Sequence, residues 1–216
     1  MKFNLPPTEL TTSATDAVLA LECILILTGI WRTGSRNRWR TRLWCGVFGL
    51  IALSSFLGTV AHGFEMPDTI REAIWKPLYL SLGILIALFW VGAIYDWRGR
   101  ILAARLLPCS IGVCIAFFAL TEFTQGSFIV FVVYEAAVMV GVLLIYSFLA
   151  ATHRLKGAAI MSLAVLLNLA AAGAQASRLS VHLVFPFDHN GIFHLVQMLG
   201  VGTLGLGIHL GMRNGG

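Results

Sequence analysis

Apolar residues fall in seven long runs separated by short polar stretches. The runs lie near Thr12–Trp31, Leu43–Phe64, Trp75–Trp97, Ile101–Thr121, Phe128–Ala151, Gly157–Arg178 and Gly191–Met212. Each is close to the roughly 20 residues a helix needs to cross a hydrocarbon core. Apolar character is continuous within each run rather than alternating with period two, which predicts helices and not barrel strands. The connections leave no room for a separate soluble domain. The expected fold is therefore all-α: a single seven-helix transmembrane bundle over residues 1–216.

Punctuation along the runs fits that division. Trp31, Trp39, Trp44, Trp75 and Trp97 stand at or beside run ends, where amphipathic indoles favour the membrane interface. Pro77 is expected in the first turns of the third helix, and Pro108 deeper, as a kink in the fourth. Gly200, Gly202, Gly205, Gly207 and Gly211 leave the last helix nearly bare on one side, as Ala170, Ala171, Ala172, Gly173 and Ala174 do in the sixth. Small residues let helices approach closely in lipid, so these read first as packing surfaces.

Composition strengthens the membrane reading. The 216 residues are 58% hydrophobic and only 12% charged, with a mean hydropathy of +0.84; soluble domains carry about 25% charged residues. The net charge of +5 is unevenly placed. Arg32, Arg36, Arg38, Arg40 and Arg42 crowd the first connection, Arg98, Arg100 and Arg105 the third, and Arg154 and Lys156 the fifth. The even connections hold mainly Glu65, Asp68, Glu72, Glu122 and Asp188, with Arg71, Lys76 and Arg178 as exceptions. Basic connections face the cytoplasm, so the N-terminus is expected outside and the C-terminus, with Arg213, inside. That rule already accounts for the arginine cluster, so no nucleic-acid partner is expected. The first ten residues lack a basic stretch followed by an apolar core, so no cleaved signal peptide is expected either. Membrane lipids are the expected surroundings, and a bacterial inner (plasma) membrane the expected residence. Cys23, Cys45, Cys109 and Cys114 form no CxxC pair and read as small apolar packing residues.

The candidate chemistry lies in the polar groups inside the runs. With the orientation set, Asp16, Glu22, His62, Glu135, Gln175, Asn190, His194 and Gln197 all fall in the outer half of the bilayer. Asn190, His194 and Gln197 share one helical face by their spacing of four and three. A lone carboxylate at such depth costs roughly 2.5–3.5 kcal/mol, which predicts partners for Glu22 and Glu135. His62, His189 and His194 are candidate ligands for one metal ion. Three imidazoles suit zinc, with a fourth position left for a water of lowered pKa, although copper, iron or nickel accept the same donors. Glu65, Glu72, Glu135 or Asp188 is in reach to act as general base.

The same residues resemble a family. Seven spans, a histidine late in the second and a histidine motif opening the seventh are similar to the CREST superfamily, which includes alkaline ceramidases, adiponectin and progestin receptors and haemolysin III-like proteins. In that superfamily the second helix carries Ser-x-x-x-His and the seventh His-x-x-x-His. Here those registers read Gly58-Thr59-Val60-Ala61-His62 and Asn190-Gly191-Ile192-Phe193-His194. Thr59 or Ser55 stands nearby in place of the serine hydroxyl. His189 is displaced by one residue and converges with His194 only if it precedes the first helical turn, with Asp188 or Asn190 as cap. Glu72 is nearest to the superfamily's acidic residue in the third helix. The resemblance implies a zinc-dependent hydrolase of a lipid amide, with Thr59, Glu72 and Asp188 as its catalytic candidates.

Three functions follow as expectations. The first is a zinc-dependent membrane hydrolase acting on a lipid amide or ester in the outer half of the bilayer. The second is a non-enzymatic seven-helix receptor, sensor or accessory subunit, motivated by the missing serine position. The third is a small transporter using Glu22, Glu135 and Asn168 near midplane, although no internal repeat supports it. A retinal pigment is not expected, because the seventh run holds no lysine for a Schiff base.

Overall fold

The structure, a computed structural model, describes residues 2–3, 6–33, 37–124, 127–182 and 184–213. Arg36 and the Arg213 side chain lie outside the described residues. Chain order is β1 (Lys2–Phe3), α1 (Pro7–Thr33), α2 (Arg38–Gly63), β2 (Phe64–Glu65), α3 (Asp68–Arg98), α4 (Arg100–Phe123), α5 (Phe128–Ala151), α6 (Ala158–Gln175), β3 (Val181–His182), β4 (Pro186–Phe187) and α7 (His189–Arg213). Within the described residues, seven helices are long and apolar enough to cross a membrane. Two short antiparallel ribbons lie at the end of the bundle where α1 begins. β1 pairs with β2 (Lys2 opposite Glu65), and β3 with β4 (Val181 opposite Phe187).

Local chemistry sets the helix ends. Asn37 caps α2, its side-chain oxygen accepting from the Arg40 amide at 3.2 Å. Asp188 caps α7, accepting from the Gly191 amide at 3.0 Å. Gly99 alone separates α3 from α4 and does so at φ +83°, a left-handed conformation that glycine adopts without strain. α3 begins at Asp68, seven residues ahead of the apolar run. Its polar first turns stand clear of the hydrophobic stretch, so Pro77 sits inside α3 instead of in its opening turns. The Ser81 hydroxyl donates to the Pro77 carbonyl at 2.7 Å. Pro108 likewise lies within α4.

α3 is the most deeply buried of the helices, with 67% of its most apolar stretch covered, against 22% for α4. Around α3 runs one continuous core that includes Trp44, Phe48, Ile86, Phe89, Val142 and Met161. The glycine face of α7 is filled by neighbours. Asn168 sits against Gly200, Glu22 against Gly202, Ile26 against Gly205, Met161 against Gly207 and Arg40 against Gly211.

The end away from the ribbons is closed by a buried charge cluster. Arg40 Nε donates to Asp96 Oδ1 at 2.6 Å and Nη2 to Oδ2 at 3.1 Å, a two-pronged pairing. The Tyr146 hydroxyl donates to Asp96 Oδ2 at 3.1 Å. Only 7% of the Arg40 side chain and 2% of Asp96 remain exposed. Trp39 stacks on Tyr95 with ring centroids 5.0 Å apart beside this cluster.

Candidate functional site

At the ribbon end the bundle opens into a cavity of about 830 Å³. Its entrance carries Asp68, Arg71, Glu72, Lys76 and Glu122, from the polar turns of α3 and the end of α4. Farther in lie Asp16, His62, Glu135, Gln175 and His194, and the apolar walls include Ile51, Leu82, Leu85 and Phe131. Ile51 sits roughly 18 Å of helix below the end of α2, from 1.5 Å per residue. Asn190, His194 and Gln197, predicted to share a face, all line this space.

α1 supplies most of the partners. The Thr15 hydroxyl donates within its own helix to the Thr12 carbonyl at 2.8 Å. It also lies 3.1 Å from His194 Nδ1, within hydrogen-bond distance. The other ring nitrogen, Nε2, faces Asp16 Oδ1 at 3.3 Å. Two turns earlier, Glu9 Oε2 meets His62 Nδ1 at 2.7 Å, and the His62 ring stands edge-on to Trp75, centroids 5.7 Å apart. Glu9 and Asp16 are seven residues apart and share a helix face.

Gly58 explains how Asp16 reaches this position. A Cβ built there would lie 2.5 Å from Asp16 Oδ2 and 2.9 Å from its Cγ. The Asp16 carboxylate occupies the place where the resemblance calls for a serine side chain.

Among the described residues, no group of three His, Cys, Asp or Glu side chains is arranged to hold a metal ion. His62, His189 and His194 line one cavity without forming a ligand set. Both nitrogens of His194 face protein groups, and Glu9 holds His62 Nδ1. His189 is the first residue of α7 and stands five positions before His194, about 140° around a regular helix.

Of the three catalytic candidates, Glu72 lines the cavity, whereas Thr59 and Asp188 are not among its lining residues. The Thr59 hydroxyl donates to the Ser55 carbonyl at 2.8 Å in its own helix, and the α2 wall of the cavity is made by Ile51, Ser54, Ser55, Gly58 and His62 instead. Glu72 is exposed at the entrance. Asp188 caps α7, and its carboxylate also accepts from the Thr12 hydroxyl at 3.2 Å and from Asn190 Nδ2 at 3.3 Å. Glu22, expected to find a partner, packs against Gly202 of α7 and not in the cavity.

Glu135 and Gln175 complete the walls. Glu135 is 4% exposed, and its Oε2 has no hydrogen-bond partner among the described residues. Gln175 donates from Nε2 to Asn190 Oδ1 at 2.7 Å, while its buried Oε1 has none.

Residues 11–213 match a family of unknown function (DUF6962), and the chain belongs to that family. No curated protein and no solved structure matches it.

Proposed function

We propose that this is a membrane receptor or sensor, N-terminus outside and C-terminus in the cytoplasm, that admits a lipid-class amphiphile to its cavity and works without a bound metal. The observation that carries this reading is the Asp16 carboxylate lying in the space beside Gly58, where it engages His194. That contact uses the ring nitrogen a shared ion would need. The cavity's volume falls within the roughly 300–1,000 Å³ of small-molecule sites, and its polar entrance and apolar walls suit a head group and a chain. The orientation rests on the basic residues at the Arg40 end and the acidic ones around the cavity.

The test is photolabelling in phosphatidylcholine vesicles with a monoacylglycerol that carries a diazirine in its chain. Label is expected on cavity residues such as Leu82, Leu85 and Phe131, and excess unlabelled monoacylglycerol should suppress it. Label confined to outward-facing residues such as Phe123 and Leu144, both exposed on the bundle surface, would overturn the reading.

The zinc-dependent lipid hydrolase remains the second reading, because His62 and His194, from the two helices the resemblance names, both face the cavity. Stoichiometric zinc in protein purified without chelators, lost in His62→Ala and kept in His153→Ala, would favour it over the receptor.

A further inference from the structure

The cavity's unmet polar atoms have one chemical character. Buried polar groups normally find hydrogen-bond partners, so an exception that lines a cavity marks a place where a ligand, ion or water can supply one. Among the described residues three buried side-chain polar atoms lack a partner: Glu135 Oε2, Gln175 Oε1 and Trp44 Nε1. Only the first two belong to cavity-lining residues, and both are acceptors. The orientation of Gln175 is fixed by its neighbours. Asn190 Nδ2 donates to Asp188, so Asn190 Oδ1 must accept from Gln175 Nε2, and the Gln175 carbonyl is left without a donor.

Charge points the same way. The lining carries five carboxyl groups, Asp16, Asp68, Glu72, Glu122 and Glu135, against Arg71 and Lys76. Both cations are engaged at the entrance. Arg71 donates to the Ala61 carbonyl at 3.1 Å, and Lys76 pairs with Glu122 at 3.1 Å. Glu135, farther in on α5, has neither for a partner.

We infer that the cavity selects an amphiphile with a protonated primary amine as its head group, and that Glu135 is the group that receives it. A donor-rich cation satisfies the acceptors the protein leaves open, and the apolar walls take its chain. This rests on the reading of the cavity as an amphiphile site and adds the head-group class.

The experiment uses the full chain in phosphatidylcholine vesicles, with the diazirine monoacylglycerol as reporter. Hexadecylamine, monopalmitoylglycerol and palmitic acid compete at equal membrane mole fraction. A charge-assisted hydrogen bond contributes roughly 1.5–3 kcal/mol, so the amine should displace the reporter at about tenfold lower mole fraction or better than either rival. Glu135→Gln should remove that preference while cavity labelling persists. Glu135→Asp keeps the charge and should keep the preference, which guards against a Gln variant that fails to fold. Equal competition by all three heads overturns the inference and leaves the amphiphile site standing, whereas absence of cavity labelling defeats both. An amine preference that survives Glu135→Gln, or one lost in Glu122→Gln instead, also overturns the assignment.

Discussion

The two ends of this bundle bury polar groups in opposite ways. At the Arg40 end, one guanidinium, one carboxylate and one phenol meet with both carboxylate oxygens occupied. At the cavity end, a carboxyl oxygen and an amide oxygen are equally hidden and have no partner. Desolvation costs both clusters, but only the Arg40–Asp96–Tyr146 cluster recovers the cost within the chain; one turn along α2 from it, the buried Trp44 Nε1 has no hydrogen-bond partner among the described residues. The contrast separates groups kept for cohesion from groups held open for something the chain does not contain. Function is expected where stability has been forgone.

The strongest way to break that contrast is to unbalance the satisfied end. Asp96→Ala leaves a buried guanidinium alone and should cost about 3–5 kcal/mol, read as a large fall in melting temperature in detergent. The double variant Arg40→Met/Asp96→Leu should recover most of it. A neutral single variant would mean the cluster contributes no cohesion.

A smaller effect is expected beside Asp16. Gly58→Ser crowds the carboxylate and should lower stability by about 2 kcal/mol, typical of overpacking, and Asp16→Ala in the same chain should relieve it. Absence of relief would show that the serine meets something other than Asp16. Glu135→Met tests the unsatisfied end in the opposite direction. It removes a buried group that lacks a partner and should raise stability by about 1 kcal/mol while weakening amine competition in the labelling assay. A loss of stability would put Glu135 with the cohesive groups and erase the distinction. Lys76→Ala should change stability least, by no more than about 0.5 kcal/mol, because its pairing with Glu122 is largely exposed. A larger drop would make the entrance part of the scaffold.

How much of this was legible in the sequence follows from which forces local pattern records. The seven helices were readable because apolar length alone defines a span; α5 begins and ends where its run does. The polar first turns of α3 were not, because hydropathy does not register a helix that continues beyond the membrane-length stretch. Of the polar residues grouped by expected depth, Asp16, His62, Glu135, Gln175, Asn190, His194 and Gln197 share one cavity, and Glu22 does not line it. Azimuth was less readable. His62 and His194 were grouped by depth, yet each faces a carboxylate of α1. Glu9 was missed because it precedes the first apolar run. The clue that was available was Gly58: a side chain absent from an expected position leaves room for another, and Asp16 and Glu9 lie on one face of α1.

The filled glycine face of α7 has a mechanical consequence. Side chains from α1, α2 and α6 sit against its glycines along the helix's length, like splines holding a shaft. Turning α7 about its own axis would require withdrawing every one of them together, so the direction in which His194 and Gln197 point is set for the life of the fold.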